Sequence, residues 1–499
     1  MKNLKLLMLL ILTVFTFACT KLEQNQRGAL NIESSSVNPA GLLQSAYESM
    51  YTPFMDQSRF WAASEHTTDE AVGPTRGPDW DDNGVWRVLH AHTWNADHGF
   101  LRDTYRELLQ TQFAASSVLE KSPSAQQAAE ARFVRAFSMF AVLDGWDQIP
   151  YRSDLKDLKK LPETLKGSAA ADFIISELEA IINDLPTGSI IKANKNAARA
   201  LLMKLYLNRG VYANRAAPTF AAADMNKVIA LADQITGYSL TPNFYDNFSP
   251  DNSTKSTEII WALENTNGVR GGNNQFHWYC TLHYNQKPSG WNGFTTLSDF
   301  YDKFEATDKR RGDSYTGVTN VTGLRVGLLV GQQFDQNGNA LKDRSGAPLA
   351  FTREVKLKET GSNLEVTGIR VVKYPPDLAK EFPAENEFVI FRYADVLLMK
   401  AEALLRTGAA ATALPIVNSI RTARGATALG SLTADNLLDE RGRELYWEGW
   451  RRNDLIRFGK FLGAWQEKAA SGSERLLFAI PNEQLAVNPN LTQNPGYDK

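Results

Sequence analysis

Cysteine is almost absent from this sequence, since 499 residues contain only Cys19 and Cys280. An exported protein held together by disulfides carries an even set of cysteines in its folded body, so a disulfide framework is excluded. The surroundings of Cys280 supply no cationic setting for a reactive thiolate. We therefore expect Cys280 to be a small packed side chain or part of a pocket wall.

An excess of basic charge is also missing. The 54 lysines and arginines face 56 acidic residues, for a net charge of −2, and loss of the first 18 residues with their two lysines would leave −4. This balance gives no reason to expect nucleic acid or a polybasic membrane patch as a partner. No segment after residue 18 has the apolar length of a membrane span, and nucleotide-binding glycine motifs are absent.

Histidine is scarce as well, with six in the chain. Only His90, His92 and His98 have a spacing that resembles a metal-ligand group, and we favour structural roles for them. We therefore predict no metal and no cofactor. Three acids among residues 79–82 could serve as the acid and base of a glycosidase, but such a cluster is more typical of a turn.

The N-terminus has the organisation of a secretory signal. Two lysines precede an apolar run over residues 6–18, which is too short to span a bilayer as a helix. The run ends directly before Cys19 and turns polar at once, as in a bacterial lipobox. We predict a signal peptide over residues 1–18, lipidation of Cys19 and a flexible tether over residues 19–36. An ordinary secretory signal with an incidental cysteine is the alternative.

The rest of the chain, residues 37–499, is predicted to form one mainly α-helical domain. Apolar residues recur at the spacing of helices with one buried face, for example over residues 125–146 and 391–406. Small residues at the helix contacts and Gly or Pro at the turns favour a scaffold of stacked helical hairpins akin to tetratricopeptide repeats.

Two helical blocks, residues 37–236 and 391–499, enclose a stretch of different composition. Residues 237–390 are rich in Gly, Asn, Pro and Asp and contain short strand-like runs, with a hairpin turn at residues 335–339. We predict an irregular, loop-rich lobe with short β-strands. Long loops on a rigid scaffold are common places for binding, so we expect this lobe to bind the ligand.

Several blocks of sequence carry a resemblance to a known family. They are Arg135-Ala-Phe, Leu143-Asp-Gly-Trp-Asp-Gln-Ile-Pro150, Phe391-Arg-Tyr-Ala-Asp-Val-Leu-Leu-Met-Lys-Ala-Glu-Ala-Leu404, Asn418-Ser-Ile-Arg421, Glu440-Arg-Gly-Arg-Glu-Leu-Tyr-Trp-Glu-Gly-Trp450 and Asn488-Pro-Asn-Leu-Thr-Gln-Asn-Pro-Gly-Tyr497. Together with the lipobox, they resemble the SusD/RagB family of outer-membrane nutrient-binding lipoproteins from Bacteroidetes.

The resemblance implies a function in nutrient uptake. Such a protein would be anchored in the outer membrane through Cys19, face the medium, capture an oligosaccharide and deliver it to a SusC-like TonB-dependent transporter, with no catalytic centre of its own. A surface glycoside hydrolase and a peptide-binding member of the same family are the alternatives. The loop ending in Val85-Trp86, with Cys280 near Trp278, is most similar to members from fructan-utilisation loci, so fructan is one candidate ligand.

The 11 tryptophans direct the search for a binding site. A sugar ring has an apolar face of C–H groups and a rim of hydroxyls, so its site needs a flat aromatic beside carboxylates, amides or arginine. The loop-rich segment over residues 55–97 offers both, and its candidate residues are Asp69, Arg76, Trp80, Asp81 and Trp86. The alternative is that these tryptophans are buried loop anchors and the acids form turns.

A second aromatic cluster lies in the predicted lobe. Its candidate ligand-binding residues are Trp278, Cys280, Tyr284 and Trp291. Aromatics this dense in a Gly/Asn-rich loop are difficult to bury together, which favours an exposed platform. Arg370 could offer a planar fork to sugar hydroxyls, and Tyr393 a ring with a hydroxyl. For Tyr393, inward packing from a helix is at least as good an interpretation.

Other conspicuous residues are assigned structural roles. Five tryptophans on periodic helices or in an apolar strand-like run are predicted to be core: Trp146, Trp261, Trp447, Trp450 and Trp465. The charged residues over 440–457, including Glu448 and Arg452 at i, i+4, are predicted to pair on a helix surface.

Overall fold

A computed structural model describes residues 38–265, 275–381 and 383–497, apart from the side chains of residues 275 and 276. The predicted signal peptide, Cys19 and the tether lie outside the described residues. From Pro39 onward the chain forms one compact unit. Among the described residues, no helix is both long and apolar enough to cross a bilayer.

The secondary structure is mainly helical. In chain order the helices are α1 (Pro39–Glu48), α2 (Tyr51–Met55), α3 (Phe60–Glu65), α4 (Val85–His90), α5 (Gly99–Leu119), α6 (Ala125–Trp146), α7 (Gly167–Ile181), α8 (Lys195–Ala213), α9 (Ala222–Asp233), α10 (Asn252–Lys255), α11 (Gln275–Tyr279), α12 (Ser298–Tyr301), α13 (Thr319–Thr322), α14 (Tyr393–Arg406), α15 (Ala410–Ala423), α16 (Ala434–Leu445), α17 (Arg451–Arg457) and α18 (Asn482–Val487).

The strands are short. They are β1 (Thr75–Arg76), β2 (Gln148–Tyr151), β3 (Glu163–Lys166), β4 (Ile259–Leu263), β5 (Gly312–Asp313), β6 (Val326–Leu329), β7 (Gly331–Gln332), β8 (Ala350–Phe351), β9 (Lys358–Glu359), β10 (Arg370–Val372) and β11 (Phe388–Arg392). Five single 3₁₀ turns are also described, at Asp82–Gly84, Phe244–Asn247, Lys309–Arg311, Leu364–Val366 and Ser473–Leu476.

The long helices pack on one another in succession, which confirms the tetratricopeptide-like scaffold. Helix α5 packs on α6, α6 on α7, α7 on α8, α8 on α9, and α9 on α14, which in turn packs on α15. Helix α6 begins with a capping box in which Ser124 and Gln127 satisfy each other's backbone N–H groups. The predicted stripe of α14 is buried, since Ala394, Leu398 and Ala401 are inaccessible to solvent.

The lobe is inserted between the paired helices α9 and α14. The chain leaves the scaffold through β4 and returns through β11, and these strands form an antiparallel pair with Phe388 opposite Leu263. Between them, β10, β6 and β5 form a three-stranded sheet, and β7 pairs with β8. Strand β1 pairs in parallel with β9, so the loop that follows α3 is attached to the lobe.

The charged residues of 440–457 are buried, so the prediction of surface pairing is wrong. Glu448 binds Arg392 at 2.7 Å and Lys373 at 2.6 Å instead of Arg452, and Arg452 pairs with Asp144 at 3.3 Å. All of these side chains are almost inaccessible to solvent. Because Lys373 lies in the lobe and Glu448 in the scaffold, these buried contacts join the two parts.

The tryptophans predicted to lie in the core are buried, with one exception. Trp146, Trp261, Trp447 and Trp450 are buried as predicted, whereas Trp465 is half-buried. Near Trp465 the chain is not helical, because α17 ends at Arg457 and a turn follows.

Candidate functional site

The segment that follows β1 is a tight loop that carries Trp80. Trp80, Asp82 and Asn83 have positive φ angles of 60°, 40° and 55°, a region that non-glycine residues adopt at some energetic cost. Asp81 accepts a hydrogen bond from Arg87 at 2.6 Å, and the Trp86 indole donates to Asp82 at 2.8 Å. The loop acids are thus turn formers, and they fix where the Trp80 ring lies.

Trp80 lies against the segment that carries Trp291. Its indole Nε1 donates to the carbonyl oxygen of Trp291 at 2.9 Å, and the two ring centroids are 6.5 Å apart. A Cβ added to Gly293 would lie only 2.3 Å from Cε2 of Trp80, so the indole packs directly on the glycine backbone. Glycine allows this close approach because it has no side chain.

Three rings then form a continuous aromatic surface, made of Trp80, Tyr279 and Trp291. The Tyr279 and Trp291 centroids are 5.5 Å apart. Trp291 is 41% exposed, and the other two rings are half-buried. Large exposed aromatic side chains grouped in this way are characteristic of a binding surface.

A polar wall stands beside the aromatic surface, made of Asp79, Tyr284, Arg344 and Glu365. The Tyr284 hydroxyl donates to Asp79 at 3.1 Å, and the Arg344 guanidinium lies 3.9 Å over the Tyr284 ring. Arg344 also donates through Nε to Glu365 at 2.5 Å. The wall is therefore a connected network of donors and acceptors on an exposed surface.

Buried His283 supports this wall. Its Nδ1 accepts from the backbone N–H of Asn285 at 3.0 Å, so Nε2 carries the proton and donates to Glu365 at 2.9 Å. Burial lowers the pKa of His283, which keeps the imidazole neutral. Glu365 is thereby oriented from both sides, by a neutral histidine and by Arg344.

The polar wall borders a cleft of about 410 Å³. Its lining comes from four segments of the chain: the β1 loop, the segment with Asn292, and the two lobe loops over residues 343–345 and 361–365. No single stretch of sequence encloses this cleft.

Two buried arginines, Arg76 and Arg370, hold these segments together. Arg76 donates to the carbonyl oxygen of Asn292 at 2.8 Å and to that of Thr367 at 2.8 Å. Arg370 donates to Oδ1 of Asn292 at 2.7 Å and to the carbonyl of Glu365 at 2.8 Å. Burial lowers the pKa of Arg76 to about 10 and also lowers that of Arg370, where the charge of Arg76 adds to the effect. Among the described residues neither forms an ion pair with a carboxylate.

Burial contradicts the prediction that several residues bind the ligand. Trp86 and Trp278 are 3% and 1% exposed, and Cys280 and Arg370 are fully buried, so none of them can contact a ligand in this conformation. Cys280 lies beneath the surface, and burial raises the pKa of its thiol well above the ordinary value. Within the second cluster, Trp291 is exposed and Tyr279 and Tyr284 are half-buried.

Three more predictions are revised by the contacts of the side chains. Asp69 forms a buried two-pronged ion pair with Arg451, with both distances 2.7 Å. Arg76 lines the cleft, but its guanidinium donates hydrogen bonds to backbone carbonyls. Tyr393, at the start of α14, stacks on Tyr238 in the scaffold, and no described contact joins it to the aromatic surface.

The histidines of the predicted ligand-like group are bound to protein atoms. His90 contacts the carbonyl of Gln466 at 3.0 Å, His92 that of Thr67 at 2.8 Å, and His98 that of Val85 at 3.0 Å. Within residues 38–265, 275–381 and 383–497, no three His, Cys, Asp or Glu side chains are grouped as a metal would require.

Sequence reasoning missed part of the wall. Arg344 and Glu365 were not among the candidates, because they lie on lobe loops more than fifty residues away from Tyr284 in sequence. Neither loop contains an aromatic residue that would have drawn attention to it. Only the folded lobe brings them to Asp79.

Comparison with known proteins finds similarity to one family. The family model described as the SusD family matches residues 257–497, and the starch-binding protein SusD of Bacteroides thetaiotaomicron is 28% identical over 74% of this chain and 73% of its own length. Residues 257–497 of this chain therefore resemble the SusD family. The match begins just before β4 and extends to the last described residues, so the family model covers the lobe and the C-terminal scaffold.

Solved structures of SusD-like proteins share the fold over nearly the whole chain. A laminarin-binding SusD-like protein superimposes with a TM-score of 0.73 at 20% identity, covering 92% of this chain and 99% of its own. Surface glycan-binding protein A from Bacteroides thetaiotaomicron, solved in complex with laminarihexaose, gives 0.67 at 16% identity over 91% and 98%. The helical-hairpin scaffold with an inserted lobe is therefore the SusD-family fold.

Proposed function

We propose that this protein is a cell-surface lipoprotein that binds a glycan at the aromatic surface and the adjoining cleft, and leaves it chemically unchanged. The observation that carries the proposal is the placement of exposed Trp291 beside Trp80, with the polar wall along the cleft. Flat indole rings suit the apolar faces of sugars. Carboxylates, a phenol and a guanidinium suit their hydroxyls.

The charges around the cleft favour a neutral glycan. Three carboxylates line it, from Asp79, Asp343 and Glu365, and Arg344 stands among them. The two buried arginines that hold the cleft segments supply two further positive charges beneath them. Positive and negative charges are thus equal in number, and a ligand without charge would meet no net repulsion or attraction.

Binding without catalysis is supported by the state of the acids. A glycosidase needs a carboxylic acid whose pKa is raised so that it can protonate the leaving group. For Asp81 the opposite holds, because hydrogen bonding from Arg87 lowers its pKa. Asp79 accepts a hydrogen bond from Tyr284, which belongs to the wall. Asp81 is thus engaged within its own loop, and Asp79 is a hydrogen-bond acceptor in the polar wall.

The named ligands of relatives are starch and laminarin, which are neutral glucans and fit the charge balance. Fructan, the candidate suggested by the sequence, is neutral as well and remains a prediction. We further propose that the glycan is passed to a SusC-like TonB-dependent transporter and that Cys19 anchors the protein in the outer leaflet. Both proposals rest on the similarity to the SusD family and on the N-terminal sequence.

A glycan panel with product analysis tests the proposed binding. Titration calorimetry with laminari-, malto-, levan and inulin oligosaccharides should give saturable binding to at least one of them, and chromatography after long incubation should show no cleavage. Cleavage that disappears in Asp79→Asn would establish a hydrolase and refute the binder.

The anchor and the partner require separate experiments. Cys19→Ala should be exported but released from membranes, while wild type should co-purify with a TonB-dependent transporter from detergent-solubilised outer membranes. Membrane retention of Cys19→Ala would refute the lipid anchor, and isolation of wild type without any transporter would refute the partnership.

A further inference from the structure

A second cleft on the lobe has a different chemical character. It encloses about 390 Å³ beside β6 and shares no lining residue with the cleft at the polar wall. Its functional groups come from Tyr301, Arg311, Arg325, Gln332, Gln333 and Phe334. The described lining contains two guanidinium groups and no carboxylate.

Arg311 is held in place but is not neutralised. Its guanidinium lies 4.4 Å over the Tyr301 ring, and its Nη2 donates to the Tyr301 hydroxyl at 2.6 Å. A neighbouring arginine, Arg353, approaches the same ring at 5.4 Å, but Asp302 neutralises it at 2.5 Å. No described carboxylate forms an ion pair with Arg311, so its charge is available to the cleft.

Arg325 adds a second charge of this kind. It is exposed, and its described polar contact is one long hydrogen bond of 3.5 Å to the carbonyl of Gly312. No described carboxylate pairs with it. Gly312 directly follows Arg311, so Arg325 contacts the backbone next to Arg311, and both arginines line the cleft.

The rest of the lining suits a sugar ring. Phe334 is 47% exposed and starts a turn in which Asp335 accepts from the N–H groups of Asn337 and Asn339 at 2.8 and 2.9 Å. The Gln332 side-chain amide donates to the carbonyl oxygens of Gln333 and Leu341, both at 2.8 Å, so its position is fixed. An apolar ring, fixed amides and two arginines thus surround one cavity.

We propose that this cleft is a second saccharide-binding site that recognises an anionic oxygen group, a sugar carboxylate or a sulfate ester, with the sugar ring against Phe334. Arginine is suited to such groups because its planar fork donates two parallel hydrogen bonds. Arg311 is already immobilised by Tyr301, so little side-chain freedom is lost on binding. This site acts independently of the neutral glycan site proposed above.

Calorimetry on the full chain tests this site with three probes: tri-galacturonate, a sulfated carrageenan tetrasaccharide and neutral galactotriose. At least one of the anionic probes should bind, more weakly as salt is raised, and galactotriose should bind at least about tenfold more weakly. The double variant Arg311→Gln/Arg325→Gln should lose at least about tenfold in affinity for that anionic probe. Whichever anionic probe binds identifies the carboxylate or the sulfate as the group recognised.

Two matched variants separate this site from the first. Arg353→Gln removes a nearby arginine that is already neutralised, and Trp291→Ala removes the exposed ring of the aromatic surface; both should retain anionic binding. The proposal is overturned if neither anionic probe binds, if the double variant binds like wild type, or if Trp291→Ala abolishes the binding. A failure of neutral glycan binding would refute the first site alone.

Discussion

Replacing Glu444 by glutamine tests the buried ionic contacts that join lobe and scaffold. Glu444 is inaccessible to solvent and contacts three arginines, Arg392 at 2.7 Å, Arg424 at 2.9 Å and Arg310 at 2.8 Å. Burial favours the neutral acid, but these guanidinium groups together hold its pKa well below the ordinary value. The carboxylate is therefore ionised and shared among three cations.

The expected loss of stability follows from the charged groups that remain buried in the variant. Glu444→Gln keeps the shape and removes the charge, so three buried guanidinium groups lose a shared partner. Arg392 retains Glu258 and Glu448, which limits the loss. Breaking a buried ion pair by removing one partner costs about 3–5 kcal/mol, and we expect a decrease of that size in the free energy of unfolding.

Urea unfolding followed by tryptophan fluorescence measures this decrease. The matched control is Asp233→Asn, which removes the partner of Lys400 in an exposed pair whose Asp233 side chain is 57% accessible. Exposed pairs contribute about 0–1 kcal/mol, so the control should unfold near the wild-type midpoint. A loss below about 1 kcal/mol for Glu444→Gln would refute the view that these contacts hold the fold together.

Three further predictions follow from buried groups. Burial raises the pKa of Glu70, which lies beside the equally buried Glu65, so the protonated form is favoured in the folded state and its contribution to stability is lost as pH rises above about 4.5; the difference in unfolding free energy between wild type and Glu70→Gln should therefore change as pH rises through this range, and a constant difference would contradict the shift. Gly293→Ala should displace the Trp80 ring and weaken glycan binding at least about tenfold, whereas Gly430→Ala, where nothing lies within 4 Å of the added Cβ, should have no effect; equal affinities would show that Trp80 is not needed. Cys280 should resist iodoacetamide in the native protein and react on unfolding, as mass spectrometry would detect, and rapid native labelling would contradict its burial.

The scaffold could be predicted from sequence because its signals are local. The apolar stripe of α14 and the Ser124 capping box lie within single helices, and in the turn at residues 335–339 the Asp335 carboxylate accepts hydrogen bonds from N–H groups of its own loop. Such features depend on neighbours three or four residues away. Strand β11 was not predicted, because it pairs with β4 from a segment more than one hundred residues away.

The prediction from charged residues was wrong. Acidic and basic residues three or four apart on a helix are usually a solvated face, and the segment over residues 440–457 has that pattern. The structure buries it, because partners from distant segments, such as Arg310 and Arg392, supply the compensating charges. No local pattern reveals that a charged helix will be covered by an inserted lobe.

The sequence indicated aromatic residues for the candidate site but not how these residues are arranged. Trp80 and Trp291 were both expected to bind ligand, yet their contact joins residues more than two hundred positions apart. Trp278 is close in sequence to Trp291 and equally aromatic, and it is buried. Which ring faces solvent depends on how the loops close, and that is set by Arg76 and Arg370 binding their backbone carbonyls.

Titration calorimetry of Trp291→Ala with the tightest-binding oligosaccharide of the panel tests the central claim most directly. Trp291 and Phe113 are both 41% exposed, and Phe113 lies on scaffold helix α5, so Phe113→Ala is the matched control. Loss of a stacked ring should cost roughly 1.5–3 kcal/mol, a decrease in affinity of about tenfold or more, while Phe113→Ala should bind like wild type. Unchanged affinity in Trp291→Ala, or equal losses in both variants, would contradict a glycan site at the aromatic surface.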